Sequence, residues 1–133
     1  MDDQKRPKEH LPVEPTNAEM EILQVLWDNG PSTVRFVNDT LNKEKREVNY
    51  TSTLKQMQVM TEKGLLTRDE SSMKHVYTPV HGEETVKAHF LEKFVDVFYK
   101  GSASRLVMQL LGNKKTSKKD LDYIKEQIKK LDN

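Results

Sequence analysis

The segment 49–79 constrains the fold more than any other part of the chain. It opens with Asn49, a good helix N-cap, continues with apolar residues at helical spacing, and reaches Gly64, the residue type that most readily closes a helix. Two short extended runs follow at 65–67 and 75–78, and the stretch between them is polar and turn-like. The pattern predicts a helix followed directly by a β-hairpin, in which the helix can read DNA and the hairpin can brace on its phosphates.

Two more helices are predicted ahead of this segment. Thr16 and Glu19 have the spacing of a capping box, and apolar residues then recur at helical intervals as far as Trp27. The stop at 29–31 (NGP) ends this helix, and a second helix follows it. The first 80 residues therefore predict three short helices and a two-stranded wing, which together form a winged helix-turn-helix.

The C-terminal part of the chain predicts helices with more apolar surface than one small domain can bury. A long helix is expected over 82–99, a short one over 103–111, and a last one after Ser117, which can cap it. The last helix repeats apolar residues at the 3, 4, 3 spacing of helices that pack in pairs, so we expect a homodimer. The residues expected at the dimer interface are Phe90, Phe94, Phe98, Leu106, Leu110, Leu121, Ile124, Ile128 and Leu131.

The expected fold class is mainly α with a small β-hairpin: a winged helix-turn-helix domain plus a C-terminal helical dimerisation domain. Along the chain we expect a flexible arm over 1–14, the winged-helix DNA-binding domain over 15–80, and the helical dimerisation domain over 81–133. Domains of this size bury only a small core, which fits stabilisation by a second copy.

The residues expected to contact DNA lie on the third helix and on the wing. They are Thr51, Ser52, Lys55, Arg68, Lys74 and His75. The first three would reach base edges or the adjacent phosphates from the start of the helix. The last three would hold the wing on the DNA backbone, which positions the protein without specifying a sequence. A winged helix that binds another protein instead of DNA is the alternative.

Composition excludes several kinds of site. The chain has no cysteine, which removes disulfides, thiolate metal sites and a cysteine nucleophile. Its four histidines are scattered and no catalytic motif is present, so we expect no metal, no cofactor, no catalytic residue and no enzyme activity. No apolar run approaches the ~18 residues of a membrane span, so we expect a soluble cytoplasmic protein with no membrane partner. The net charge of +1 leaves DNA binding open.

Four motifs of this chain resemble the penicillinase-repressor family of bacterial transcription regulators, the BlaI/MecI/CopY group. They are 18–27 (AEMEILQVLW), 50–54 (YTSTL), 62–66 (EKGLL) with 76–79 (VYTP), and 98–102 (FYKGS) with 106–107 (LV). The resemblance covers roughly 15–131. It implies an N-terminal winged helix, a C-terminal dimerisation domain, and a homodimer that represses transcription by binding a two-fold operator in double-stranded DNA.

The chain also departs from that family pattern. The copper-responsive members carry a cysteine cluster, which is absent here, so copper sensing is not expected. The resemblance implies a regulatory protease as a further partner, but Gln109 and Leu110 stand where other members are cut at an Asn–Phe bond. Val59, Ser72 and Met73 replace an arginine of the recognition helix and a glycine and an arginine of the wing, so a different operator sequence is expected.

Overall fold

The computed structural model describes residues 11–113 and 115–131, without the side chains of Ile128 and Leu131. This part of the chain contains six helices and one two-stranded antiparallel sheet. In chain order the elements are α1 (Asn17–Asn29), α2 (Val34–Glu44), α3 (Tyr50–Glu62), β1 (Leu66–Asp69), β2 (Val76–Pro79), α4 (Glu83–Tyr99), α5 (Ala103–Leu111) and α6 (Lys118–Leu131). The predicted fold class is confirmed: the chain is mainly α, with a winged helix followed by a helical C-terminal part.

Helix α1 begins at the predicted capping box. The backbone N–H of Glu19 donates to Thr16 Oγ1 at 3.2 Å, and the Thr16 N–H donates to Glu19 Oε1 at 3.0 Å. The buried Glu19 carboxylate also accepts two hydrogen bonds from Lys63 Nζ, at 2.8 and 3.0 Å. Lys63 is the C-cap of α3, so one ion pair joins the start of α1 to the end of α3. Each charge has the sign that complements its own helix dipole.

Gly64 follows the C-cap of α3 in the left-handed conformation that the sequence predicts, with φ +86°. Its N–H donates to the Thr61 carbonyl at 3.1 Å, and the Leu65 N–H donates to the Met60 carbonyl at 2.9 Å. These two bonds form a Schellman motif. Because Leu65 completes this motif, strand β1 begins at Leu66, one residue later than the extended run suggests.

A polar network fixes the corner between α2 and α3. Asn38 Nδ2 donates to the Val48 carbonyl and to Thr53 Oγ1, both at 2.9 Å. Asn42 Nδ2 donates to the same carbonyl, and Asn42 Oδ1 accepts from the Val48 N–H at 3.1 Å. Asn38 and Thr53 are both buried, so these bonds satisfy polar groups that would be costly to leave unpaired.

Strands β1 and β2 pair in one antiparallel register, with Arg68 opposite Tyr77. Tyr77 is buried, and its backbone also exchanges two hydrogen bonds with Ser32, at 2.8 and 3.2 Å. The wing is therefore joined to the segment between α1 and α2 as well as to the end of α3. The core beneath it consists of Ile22, Leu23, Val25, Leu26, Val34, Val37, Leu41, Met57, Met60, Leu65, Leu66 and Tyr77.

The chain divides into two compact units between His89 and Phe90, inside α4. The division lies later in the chain than the boundary expected after residue 80. The first turns of α4 pack with the first unit: Val86 is buried, and Trp27 Nε1 donates to the His81 carbonyl at 3.1 Å. Residues 11–14 of the expected arm are described, and in them Leu11 is buried; residues 1–10 lie outside the described residues.

The second unit holds the rest of α4 together with α5 and α6. The turn after α4 places both Lys100 and Gly101 at positive φ, 51° and 79°. Helix α5 is capped by Ser102, whose hydroxyl accepts from the Arg105 N–H at 3.3 Å. At the start of α6 the Asp120 N–H donates to Ser117 Oγ at 3.0 Å, as the capping pattern predicts.

Candidate nucleic-acid interface

An open groove of about 420 Å³ lies on the first unit where α2, α3 and the wing meet. It is lined by Thr33, Val34, Arg35, Tyr50, Leu54, Met73, Lys74, His75 and Tyr77. The first turns of two helices and the second strand of the wing, with its turn, therefore contribute to one surface. Two basic side chains, Arg35 and Lys74, are exposed on it.

Helix α3 turns its predicted contact residues away from the core. Thr51, Ser52 and Lys55 are exposed, whereas Met57 and Met60 are completely buried on the other side. Because residues four apart share a helix face, Thr51 and Lys55 form one exposed row. The helix is held from below by packing and at its start by the Asn49 cap, whose Oδ1 accepts from the Ser52 N–H at 2.8 Å.

The wing residues named from the sequence have different surroundings. Lys74 is exposed and His75 is half-buried, and both line the groove. Arg68 is not among the groove-lining residues, and its guanidinium pairs with Glu70 through Nε at 2.8 Å and Nη2 at 2.5 Å. Hydrogen bonds with Tyr77 and then Glu70 raise the pKa of Arg68. Arg68 therefore keeps its charge but has an acidic partner on the same wing.

Around the turn of the wing, Asp69 and Glu70 are acidic and Met73 is apolar. The Ser71 backbone N–H donates to Asp69 Oδ1 at 2.8 Å, and this bond is the main reason that the pKa of Asp69 is lowered. Met73, at the tip, is 100% exposed. The turn thus presents Met73 and Lys74 to the groove while Asp69 stays ionised.

Arg35 was not identified from the sequence, although the structure places it in the groove. Its guanidinium carbon lies 4.1 Å from the centre of the Tyr50 ring, a cation–π arrangement. A signal was present in the sequence: Arg35 lies in the first turn of a helix, where the dipole disfavours a positive charge. A residue that breaks a local rule in this way is expected most often at functional sites.

The second unit has an apolar surface of its own, on α4. A groove of about 570 Å³ is lined by Phe90, Leu91, Lys93, Phe94, Val97 and Phe98, here called the α4 apolar face. Val97 and Phe98 are 65% and 68% exposed. The rings of Phe94 and Phe98 lie 4.9 Å apart, so they already pack on each other within the helix.

The other residues expected at a dimer interface lie on α5 and α6. Leu110 is exposed, and Leu106, Leu121 and Ile124 are half-buried. The side chains of Ile128 and Leu131 lie outside the described residues. Gln109 and Leu110, at the position of the family's cleaved bond, are both exposed on α5.

No helix among the described residues combines the length and apolar composition that a membrane crossing requires. No group of three or more His, Asp and Glu side chains among them is arranged to hold a metal ion.

A match to one known protein family covers most of the chain. The sequence profile described as penicillinase repressor matches residues 15–130. Over 73 residues the chain is 31% identical to "Transcriptional regulator BlaI" of Mycobacterium tuberculosis, both in strain CDC 1551 / Oshkosh and in strain ATCC 25618 / H37Rv. The match covers 54% of this chain, and it spans about half of each relative, 52% of its length.

Proposed function

The chain belongs to the penicillinase repressor family, and we propose that it is a DNA-binding transcriptional repressor that acts as a homodimer on a two-fold operator. The relatives in M. tuberculosis are named as transcriptional regulators, which supports a role of the same kind. Such a protein would work on double-stranded DNA in the cytoplasm.

The exposed row on α3, beside a basic groove, is the observation that carries this proposal. A helix entering a major groove needs a free outer face with short polar and basic side chains, which Thr51, Ser52 and Lys55 provide. It also needs a rigid mounting, which the α2–α3 polar network provides. Lys74 and His75 then stand where the wing would meet phosphates.

The α4 apolar face supports the homodimer. A soluble chain rarely leaves contiguous side chains such as Leu91, Val97 and Phe98 in water unless a partner covers them. A second copy would cover this face and would also link two winged helices. Linkage raises the effective concentration of the second DNA contact, which favours an operator with two half-sites.

DNase footprinting and binding titrations on the DNA upstream of the protein's own gene test the proposal. We expect two protected half-sites and an affinity about 10³-fold or more above that for a shuffled duplex, falling steeply with salt. A shuffled duplex of equal composition is the matched control. Equal and weak binding to both duplexes would contradict the proposal.

A winged-helix module that binds protein is the alternative, and one observation favours it. Several basic side chains of the first unit already have acidic partners: Arg46 with Glu21, Lys63 with Glu19, and Arg68 with Glu70. Less positive charge is then left for phosphates than the sequence suggests. Equal weak binding in the footprinting test would favour this alternative.

Regulation by a protease is proposed at the Gln109–Leu110 bond. Both residues are exposed on α5, and cleavage there would separate α6 from the rest of the second unit. Because a protease specific for Asn–Phe would cut this bond poorly, an enzyme of different specificity is required. Dimerisation and operator occupancy would fall after the cut.

A further inference from the structure

We propose that Arg35, held against the Tyr50 ring, is a DNA-phosphate contact of the winged helix. The inference rests on the proposed function and adds to it a residue at the start of α2, outside the recognition helix and the wing. The guanidinium carbon of Arg35 lies 4.1 Å from the centre of the Tyr50 ring.

The charge of Arg35 is uncompensated in the part of the chain that the structure describes. Of the three arginines described in the first unit, Arg46 pairs with Glu21 and Arg68 pairs with Glu70. Arg35 has the aromatic ring instead of a carboxylate. A guanidinium carries five N–H donors, and none of those of Arg35 is paired with a carboxylate among the described residues, so a phosphate can accept two of them.

The position of Arg35 is otherwise unfavourable. Arg35 is the second residue of α2, where the positive end of the helix dipole repels a cation. An acidic residue would stabilise that turn, and none is present there. A bound phosphate would reverse the balance, because it would meet the guanidinium and the positive end of the helix dipole together.

The Tyr50 ring fixes where the guanidinium points. Tyr50 is the first residue of α3, so the stack joins the start of α2 to the start of α3. Both residues line the groove that also exposes Lys74. The stack therefore holds one cation beside the α3 face before DNA arrives, and a restrained side chain loses less entropy on binding.

The test compares four chains: wild type, Arg35→Gln, Tyr50→Leu, and Arg46→Gln as the control. Arg46→Gln makes the same chemical change at an exposed arginine that does not line the groove. Each dimer is titrated with a fluorescent duplex from its own upstream DNA and with a shuffled duplex, over a series of salt concentrations. Thermal unfolding of each variant is measured alongside.

We expect Arg35→Gln to weaken binding to both duplexes alike, by roughly tenfold. It should also reduce the magnitude of the slope of log K against log salt by about 0.9 per protomer. Tyr50→Leu should keep most of the slope and lose part of the affinity, because the charge remains but is no longer held. The melting temperature of Arg35→Gln should be unchanged or higher, because the unfavourable charge at the helix start is gone. Arg46→Gln should match wild type in slope.

Provided that the wild-type chain binds DNA, three outcomes overturn this inference alone. The salt dependence of binding could be unchanged in Arg35→Gln, or it could fall equally in Arg46→Gln. The loss of affinity in Arg35→Gln could also be confined to one duplex. A loss on the upstream duplex only would mean that Arg35 reads a base. A lower melting temperature with an unchanged slope would mean that the stack is purely structural. If the wild-type chain binds neither duplex, the proposed function fails, and this inference fails with it.

Discussion

The two units of the chain place their apolar residues in opposite ways. In the first unit, twelve side chains from three helices and the wing form one buried cluster. In the second, Leu91, Phe94, Val97 and Phe98 on α4 remain exposed. The same helix takes part in both, since its Val86 is buried while Phe98, three turns later, is 68% exposed.

The difference indicates where each unit gets its stability. The first unit satisfies its apolar and polar groups internally, as the Asn38 network and the Glu19–Lys63 pair demonstrate. The stability of the second is expected to depend on protein concentration, as it does for chains whose apolar faces are completed by another copy. If the chain acts as the proposed dimeric repressor, a change that weakens dimerisation would release DNA while leaving the winged helix folded.

The largest expected effect concerns the buried core of the first unit. Ile22→Ala removes a completely buried side chain from α1 and should lower the free energy of unfolding by about 2–5 kcal/mol. Val97→Ala, in the second unit, should change the free energy of unfolding that Trp27 reports for the first unit by less than about 0.5 kcal/mol. Urea unfolding followed by Trp27 fluorescence measures this, because Trp27 is the only tryptophan and belongs to the first unit. Equal losses in both variants would show that the units do not differ as described.

The second prediction concerns the α4 apolar face. The double change Phe94→Ser and Phe98→Ser should weaken dimerisation by about 2–4 kcal/mol, because buried aromatic anchors dominate such interfaces. Sedimentation equilibrium measures it, and Trp27-monitored unfolding should stay close to wild type. Met73→Ser is the control, since Met73 is an exposed apolar residue on the other unit. A double variant that dimerises like wild type would move the interface elsewhere.

The third prediction separates exposed cations from paired ones within the first unit. Lys55→Ala should weaken operator binding by about 1–3 kcal/mol if its ammonium group meets a base or phosphate. Arg68→Ala should cost less and should change the salt dependence less, because Glu70 already offsets the Arg68 charge. Binding titrations on the footprinted operator decide this. A larger loss from Arg68→Ala would mean that Arg68 leaves Glu70 when DNA binds.

Local signals made much of the fold predictable. The Thr16–Glu19 capping box and the left-handed Gly64 depend on neighbours within a few residues, so the sequence displays them directly. The exposed row on α3 follows from helical spacing alone, and the structure agrees that Thr51, Ser52 and Lys55 face outward. These residues remain predicted contacts until DNA binding is measured.

Contacts between distant segments were not predictable from the pattern. The Asn38–Thr53 bond and the Arg35–Tyr50 stack each connect side chains fifteen residues apart, on different helices. The Arg68–Glu70 pair is local, but composition does not reveal which partner a wing arginine chooses. The division inside α4 does not show in the sequence for another reason: the apolar stripe of the helix runs continuously, although Val86 and Phe90 belong to different units.

The smallest expected effect is a pH-dependent change in stability. It comes from Glu83, at the start of α4, which accepts a hydrogen bond from Gln24 on α1. A hydrogen bond with Lys87, and then one with Gln24 on α1, lowers the pKa of Glu83 below its usual 4.5. A carboxylate with a lowered pKa in the folded state adds stability above its unfolded pKa and loses it as pH falls through the folded value. Glu83→Gln should therefore be slightly less stable than wild type near neutral pH, and the difference should shrink below about pH 4.5.

The matched control is Glu84→Gln, which removes the same charge from the exposed neighbour of Glu83. Because Glu83 is close to solvent, its contribution should be small and should fall further when salt screens the Lys87 pair. Trp27-monitored urea midpoints across the acid range would measure it for both variants. If the two variants have the same midpoint at every pH, the Gln24–Glu83 bond contributes nothing measurable. The first turn of α4 would then be held by the burial of Val86 and by the bond from Trp27 to the His81 carbonyl.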